Sequence, residues 1–378
     1  MNKRVLASVA MSAVLGLAAC GSSPQGDVSD PGVTSSATPT LPPTWSLTGL
    51  PGPADAQTRQ ILMVKVENDP VVRPQTGLDS ADLVFEELVE GGMTRFATVF
   101  QSTIPDEIGP VRSIRHVDAA LASPIADAFV FSGGAPKTWT FVKEKMPSNI
   151  SIITESGVGV YRNHKHVAPH DVWLQPKKLL ASLANDNSAS SGFFATADNA
   201  QLVPIPTPTP TSGQTSDPSA APSVSASASD SASPVSNVAE PIKKVSIEFS
   251  SWENPRWTWS ASDSKWLRSE HSTPFVNPAG KQIGFTNLII IFVKTISAGY
   301  RDPAGNYVPR SVLTGTGPGY LLVNGTKTPI FWHKDHVADH LTLMDVDGNL
   351  VTAPIGTTWV SLVPVDGGKV KFTKVPVN

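Results

Sequence analysis

The chain has a single cysteine, Cys20, in 378 residues, which excludes a disulfide framework and any metal site built on several thiolates. It lacks an excess of charge of either sign: 29 Lys plus Arg against 32 Asp plus Glu leave −3. A generally basic nucleic-acid binder is thereby excluded, and no nucleic-acid partner is expected. It also lacks any apolar run of about 18 or more residues, so no spanning helix is suggested. What it holds in excess is turn-forming residues. Gly and Pro number 28 and 34, together 62, or about 16% of the chain against a norm of roughly 12%. At about 100 to 200 residues per domain the length accommodates two modest domains.

The cysteine sits at an informative place. Lys3 and Arg4 precede an apolar stretch over residues 5–17, and Ala18 and Ala19 lead to Cys20. Together these form the three parts of a secretory signal over residues 1–19. Leu17-Ala18-Ala19-Cys20 resembles a bacterial lipobox, which implies cleavage before Cys20, lipidation of its sulfur, and anchoring to the cell membrane on the extracytoplasmic face. Two acyl chains hold a protein stably where one does so only marginally. Residues 20–44 follow as a tether rich in Ser, Thr, Pro and Gly, with no aromatic residue before Trp45, and a second low-complexity tract covers residues 204–241. Such compositions cannot bury enough surface to fold. The folded pieces are then residues 45–203 and 242–378.

In the first piece, residues 61–66 read as a buried strand. Residues 83–90 and 94–101 read as a hairpin around Gly91 and Gly92. With a two-residue loop, Leu88 would face Arg95, and Glu86 and Glu90 would share its face. The cluster is either a solvated ion-pair ladder or a cleft where crowding shifts a carboxyl for acid or base work. Ile114, Val117, Leu121 and Ile125 then describe one helix face, with Ser113 as its cap. Arg112 and Arg115 would sit at that helix start, where the macrodipole disfavours cations. Either a bound anion or an internal carboxylate (Glu86, Glu87, Glu90 or Asp118) would answer them.

Further on, a strand at residues 128–131 runs into Ser132-Gly133-Gly134-Ala135-Pro136 and a helix over residues 137–146. A strand, a small-residue turn and a helix can present backbone amides to a ligand. The spacing is neither a phosphate loop nor a dinucleotide fingerprint, so no cofactor is expected, and Ser132 lacks the surroundings of a nucleophile elbow. His164, His166 and His170 invite a metal reading, but Arg162 and Lys165 lie among them and no metal site is assigned. His170 is kept as a candidate acid or base.

Several of these segments carry a family. Asn68-Asp69-Pro70 with Arg73-Pro74-Gln75-Thr76-Gly77-Leu78, Ala81-Asp82-Leu83-Val84-Phe85-Glu86, Glu90-Gly91-Gly92-Met93-Thr94-Arg95-Phe96, residues 108–115, Ser132-Gly133-Gly134-Ala135-Pro136 and Ala168-Pro169-His170 together resemble the YerB-like lipoproteins. That family is filed under a domain of unknown function. The resemblance implies a lipid-anchored, extracytoplasmic protein with an N-terminal and a C-terminal module, and brings no reaction with it.

The second piece is dominated by short alternating or β-branched runs separated by turn signals such as Asp302-Pro303-Ala304-Gly305-Asn306. Trp252, Trp257, Trp259 and Trp266 read as core or sheet-face residues, with saccharide stacking as the alternative. His333, His336 and His340 read as a hairpin loop rather than a metal-binding helix face. The expected fold class is α+β: a mixed N-terminal module with sheet and helices, and a mainly antiparallel β C-terminal module. The leading functional expectation is a lipoprotein binding an anionic envelope ligand or partner through Arg95, Arg112, Ser113, Arg115 and the Ser132-Gly133-Gly134 turn. The alternatives are an envelope hydrolase using Glu86 or Glu90 with His170, and a scaffold for protein partners.

Overall fold

The apolar run at the start of the first piece forms β1 (Leu62–Glu67), whose six residues are all buried. That includes Lys65 and Glu67, which later matter for the site. A computed structural model describes residues 42–184, 188–205 and 237–375. The signal peptide, Cys20, most of the tether and residues 206–236 of the second tract lie outside the described residues. After β1 come β2 (Leu83–Leu88), β3 (Thr94–Phe100), α1 (Asp118–Ala122), β4 (Ala128–Val130), α2 (Pro136–Lys145), β5 (Ser151–Ile153), β6 (Val160–Arg162), β7 (Val172–Leu174) and α3 (Pro176–Leu180). The C-terminal part supplies β8 (Glu240–Glu248), β9 (Pro255–Ser260), β10 (Lys265–Glu270), β11 (Thr273–Pro274), β12 (Gly284–Phe285), β13 (Asn287–Arg301) and β14 (Tyr307–Val312). It continues with β15 (Gly315–Val323), β16 (Thr326–Lys334), β17 (Thr342–Met344), β18 (Thr358–Pro364) and β19 (Lys369–Lys374). The fold is predominantly β with a few helices.

Strands from both sides of the low-complexity tract share one sheet. Its order is β17-β16-β15-β13-β18-β2-β3-β1-β4-β5, and the seam between the two parts is the parallel pair β18 and β2, in register from Thr358 opposite Leu83 to Leu362 opposite Glu87. The pairings place β16, β13, β18, β2, β1, β4 and β5 in one direction, with β17, β15 and β3 opposed. A second, antiparallel sheet of β19, β8, β9, β10 and β12 stacks on one face of the first. The helices α1 and α2 cover the other. Residues on the helix side, such as Met63, Phe85, Phe129, Ile289 and Val360, form one core. Val64, Phe96, Leu288, Trp257, Trp266 and Trp359 form the other, between the sheets.

The tryptophans divide accordingly. Trp257 and Trp266 are fully buried, Trp259 packs partly against the inter-sheet core, and Trp252 is exposed. His333, His336 and His340 do lie in and beside the loop that joins β16 to β17. They take separate partners: Asp335, Asp339 and the Gly192 carbonyl.

The hairpin of β2 and β3 departs from expectation by one residue. Val89 donates to the Met93 carbonyl, so the loop is the three-residue turn Glu90–Gly92, with both glycines at positive φ. Glu87, not Leu88, therefore stands opposite Arg95, and a slip of one residue moves Glu86 to the other face. There it meets Arg268 from the second sheet. Arg268 donates from Nη1 to Glu86 Oε2 at 2.7 Å and from Nη2 to Glu86 Oε1 at 2.9 Å, and both side chains are fully buried. Thr94 Oγ1 and Trp359 Nε1 also donate to Glu86, at 2.9 and 3.1 Å. The rings of Phe96, Trp257, Phe275 and Trp359 lie within cation–π range of the guanidinium. Glu270 takes a further bond from Arg268 at 3.0 Å, and Glu253 is held by Arg73 at 3.2 Å.

Two outcomes test this network. Arg268→Ala strands the Glu86 carboxylate in the core and should cost about 3–5 kcal/mol in denaturant unfolding, whereas Arg268→Met with Glu86→Leu should cost less than the sum of the single changes. Burial, with the Glu270 charge beside it and Arg73 opposing, pushes Glu253 up to about 8 from the ordinary 4.5. A carboxyl with a raised folded pKa contributes its stability below its unfolded pKa and loses it as pH rises through the folded one. The unfolding midpoint of the parent should therefore fall between about pH 5 and about pH 9 relative to Glu253→Gln, by on the order of 1–2 kcal/mol in stability.

Candidate functional site

Seven strands of the main sheet run the same way, so their carboxyl ends meet along one edge. Glu67 closes β1, Glu90 follows β2, Ser132 follows β4, and Arg95 lies at the start of the opposed β3. In open sheets with parallel strands this edge is the usual place for a ligand, an analogy of architecture alone. Residues 111–114 reach it as an extended segment rather than a helix. Arg112 N donates to the Lys65 carbonyl, Val111 pairs with Val66, and Ile114 N donates to the Gly133 carbonyl. This sheet-like pairing on both sides explains why the expected helix over residues 114–125 shrinks to the five residues of α1. Ser113 does not cap it. Asp118 Oδ2 instead accepts from Arg115 N at 2.6 Å, and the Ser113 carbonyl takes bonds from Arg95 and Arg115.

Three charged groups succeed one another from the interior outward. Innermost, Lys65 Nζ bonds Glu87 Oε1 and, at 2.8 Å, Asp118 Oδ1, with all three side chains buried. Burial raises Glu87 to about 7 against the opposing charge of Lys65. Next, Glu90 receives both Arg95, at 3.2 Å, and Arg115, whose Nε lies 2.9 Å away. Burial and the neighbouring Arg115 pull Arg95 down to about 9. Burial works against ionised Glu90 as well, but Arg115 and Arg95 together hold it below its usual range. The side chains of Arg95 and Arg115 are only 7% and 8% exposed. The internal carboxylate Glu90 thus answers the cations expected to await an anion.

The outermost group is the one that faces solvent. Glu67 Oε1 lies 2.7 Å from Arg112 Nε, an ion pair rather than an aligned hydrogen bond, and Glu67 Oε2 lies 2.9 Å from His170 Nδ1. Arg112 Nη1 also donates to the Pro169 carbonyl at 3.2 Å, tying the histidine loop to the sheet edge. Arg112 and His170 are 17% and 26% exposed, whereas Glu67 is 4% exposed. The Arg112 and His170 side chains are therefore partly open to solvent while the carboxylate they share is buried. His170 is thus brought to Glu67 and not to Glu86 or Glu90. The three histidines of the loop do not converge: His164 is exposed and His166 stacks on Trp173 at 5.2 Å. Donor atoms of Glu67, Asp69 and His170 do lie within 4.8 Å of one another. Arg112 on the same Glu67 carboxylate already supplies the positive charge a metal ion would bring.

The Ser132-Gly133-Gly134 turn adjoins this group through Ser132 N, which donates to the Arg112 carbonyl. A Cβ at Gly134 would meet Ile114 Cγ1 at 2.6 Å, so glycine there answers the close approach of residues 111–114. Ser132 makes no hydrogen bond to a base among the described residues. A hollow of about 630 Å³ lies elsewhere, bounded by Gly77, Asp79, Asp106, Lys177 and Asn277. Asp79 is bonded there by Asn277, Asp106 by Lys177 and Glu107 by Tyr161.

Sequence reasoning missed Glu67, Lys65 and Arg268. A charged residue inside a strand otherwise apolar, as Lys65 is within Leu62–Glu67, was the available signal.

Comparison with known proteins agrees with this architecture. Residues 47–190 match the family model described as "Protein of unknown function (DUF3048) N-terminal domain", and residues 245–360 match its C-terminal domain. A Bacillus subtilis (strain 168) protein named "Putative lipoprotein YerB" is 43% identical over 90 residues, 24% of this chain; the match spans 27% of that relative's length. The crystal structure of the YerB protein from Bacillus subtilis superposes with a TM-score of 0.64 at 21% identity, covering 87% of this chain and 99% of that one, a likeness of fold. With both domain models matched in order across the sheet they jointly build, the chain belongs to the DUF3048 family.

Proposed function

We propose that this protein is a membrane-anchored envelope lipoprotein that binds an anionic group of an envelope ligand at the carboxyl ends of β1 and β4, through Arg112 and His170. The observation that carries the reading is the arrangement on Glu67. One buried carboxylate holds a guanidinium and an imidazole by separate oxygens, and both of those side chains are partly open to solvent. A ligand oxyanion set between them gains charge-assisted hydrogen bonds from Arg112, and from His170 when the ring is protonated. Arg95 and Arg115 stand behind, nearly buried and both held by Glu90, rather than as ligand contacts. Anchoring rests on the lipobox-like Cys20 and on the name of the B. subtilis relative. The described chain enters the body at residues 45–50, where Gly356 N donates to the Thr48 carbonyl just before β18 begins. That is the strand-start edge, opposite the edge that carries Arg112 and His170.

A second reading is favoured by the bond from Glu67 to His170 Nδ1. An imidazole held through one nitrogen by a buried carboxylate is set to move a proton with the other, so an envelope hydrolase would use Glu67 with His170.

Thermal unfolding against phosphate tests the first reading. The midpoint of the parent should rise by a few °C as phosphate exceeds its dissociation constant, and the rise should vanish in Arg112→Gln and in His170→Gln. An equal rise in parent and variants sinks the proposal, and so does a rise with zinc but not phosphate. Turnover of envelope glycan that survives in the parent and is lost in His170→Asn would instead favour the hydrolase.

A further inference from the structure

The outer face of the second sheet carries a charge opposite to that of the chain. Along β8 the side chains alternate: Val245 and Ile247 are buried in the inter-sheet core while Lys244, Ser246 and Glu248 point outward. Cross-strand register sets Lys371, Ser246 and Arg256 in one row and Thr373, Lys244 and Thr258 in the next. Lys369 lies opposite Glu248 and pairs with it at 2.9 Å. Lys244, Arg256 and Lys371 are exposed and have no ion pair among the described residues. A groove of about 360 Å³ runs between them. On a chain of net charge −3, three cations on one face without an ion pair among the described residues are a local reversal of sign.

We infer that this face docks on anionic phospholipid headgroups and lays the body of the protein against the membrane. The inference rests on the membrane-anchored reading above but not on the strand-end site. Three features favour a lipid surface. The face is a patch of antiparallel strands whose outward residues put Lys244, Arg256 and Lys371 on neighbouring strands, so several headgroups can be met at once. Between the cations it offers small hydroxyls (Ser246, Thr258, Thr373), Asn254 and a single carboxylate, Glu248, which Lys369 already holds. It presents no aromatic ring of the kind on which sugars or unpaired bases stack. A tether rich in Ser, Thr, Pro and Gly restrains distance but not orientation, so a second, electrostatic contact is what would fix which way the body faces.

The test uses residues 42–378, which retain every core residue named above and lack the acylation site. Sedimentation with vesicles of phosphatidylglycerol and phosphatidylcholine should show about tenfold or more binding over phosphatidylcholine alone, falling away in about 0.5 M salt. Lys244→Glu with Arg256→Glu and Lys371→Glu should abolish it without lowering the thermal midpoint, because all three side chains are exposed. Equal binding to neutral vesicles, or binding that survives the triple variant, overturns the inference. So does binding to soluble poly(glycerol phosphate) with none to phosphatidylglycerol vesicles. Arg112→Gln should bind vesicles like the parent, so the two proposals fail separately.

Discussion

The pairing of Glu86 with Arg268 is the constraint from which most of the architecture follows. The two residues are 182 positions apart and come from different sheets, yet both are fully removed from water. Taking two ions out of water costs more than most single contacts return, and the cost is offset only where geometry and extra hydrogen bonds are complete. Here the carboxylate takes bonds from both ends of one guanidinium, from a threonine and from an indole, and aromatic rings surround the cation. Any slip of one sheet over the other would leave a buried charge without its partner. The sheets can therefore dock in one register only.

On the opposite face of the same strands, charge is graded rather than isolated. Lys65 is wholly buried between Glu87 and Asp118, Arg95 and Arg115 share Glu90 just beneath the surface, and Arg112 and His170 share Glu67 at the edge. Each carboxylate in the outer two groups serves two partners: Glu90 two guanidiniums, Glu67 a guanidinium and an imidazole. The inner groups are closed by the protein's own charges and extended segments. Only the last has side chains open to solvent, which is why the proposed binding is put there.

Much of this was legible in the residues, and what was not has definite causes. The apolar run at residues 61–66 located β1, and the short alternating runs of the second piece showed it to be rich in strands, because burial writes its period directly into a strand. The hairpin of β2 and β3 was legible as a hairpin but not in register. A loop of three residues instead of two differs by a single hydrogen bond, from Val89 to Met93, yet it exchanges the faces of Glu86 and Glu87. The helical spacing at residues 114–125 was genuine but lost over its first turn to sheet-like pairing with β1 and with Gly133, a tertiary gain no local pattern announces. Arg112, Arg115 and His170 stood out as chemistry-bearing residues. Their partners did not, since Glu67 meets His170 across 103 positions and a fold is needed to close that distance.

The sequence by itself determined the kind of protein this is: a single cysteine after an apolar leader, low-complexity segments, and β-rich folded stretches whose motifs carry a family. Those are properties of composition, order and short-range spacing, and a chain displays them before it folds. Only the tertiary structure decided that strands from both parts form one sheet and that Arg268 claims Glu86. It alone gave Arg95 and Arg115 to Glu90, and Arg112 and His170 to Glu67. The reason is physical: a charge inside a protein must find its counter-charge in space, and which one it finds depends on strand register and sheet stacking, not on neighbours along the chain.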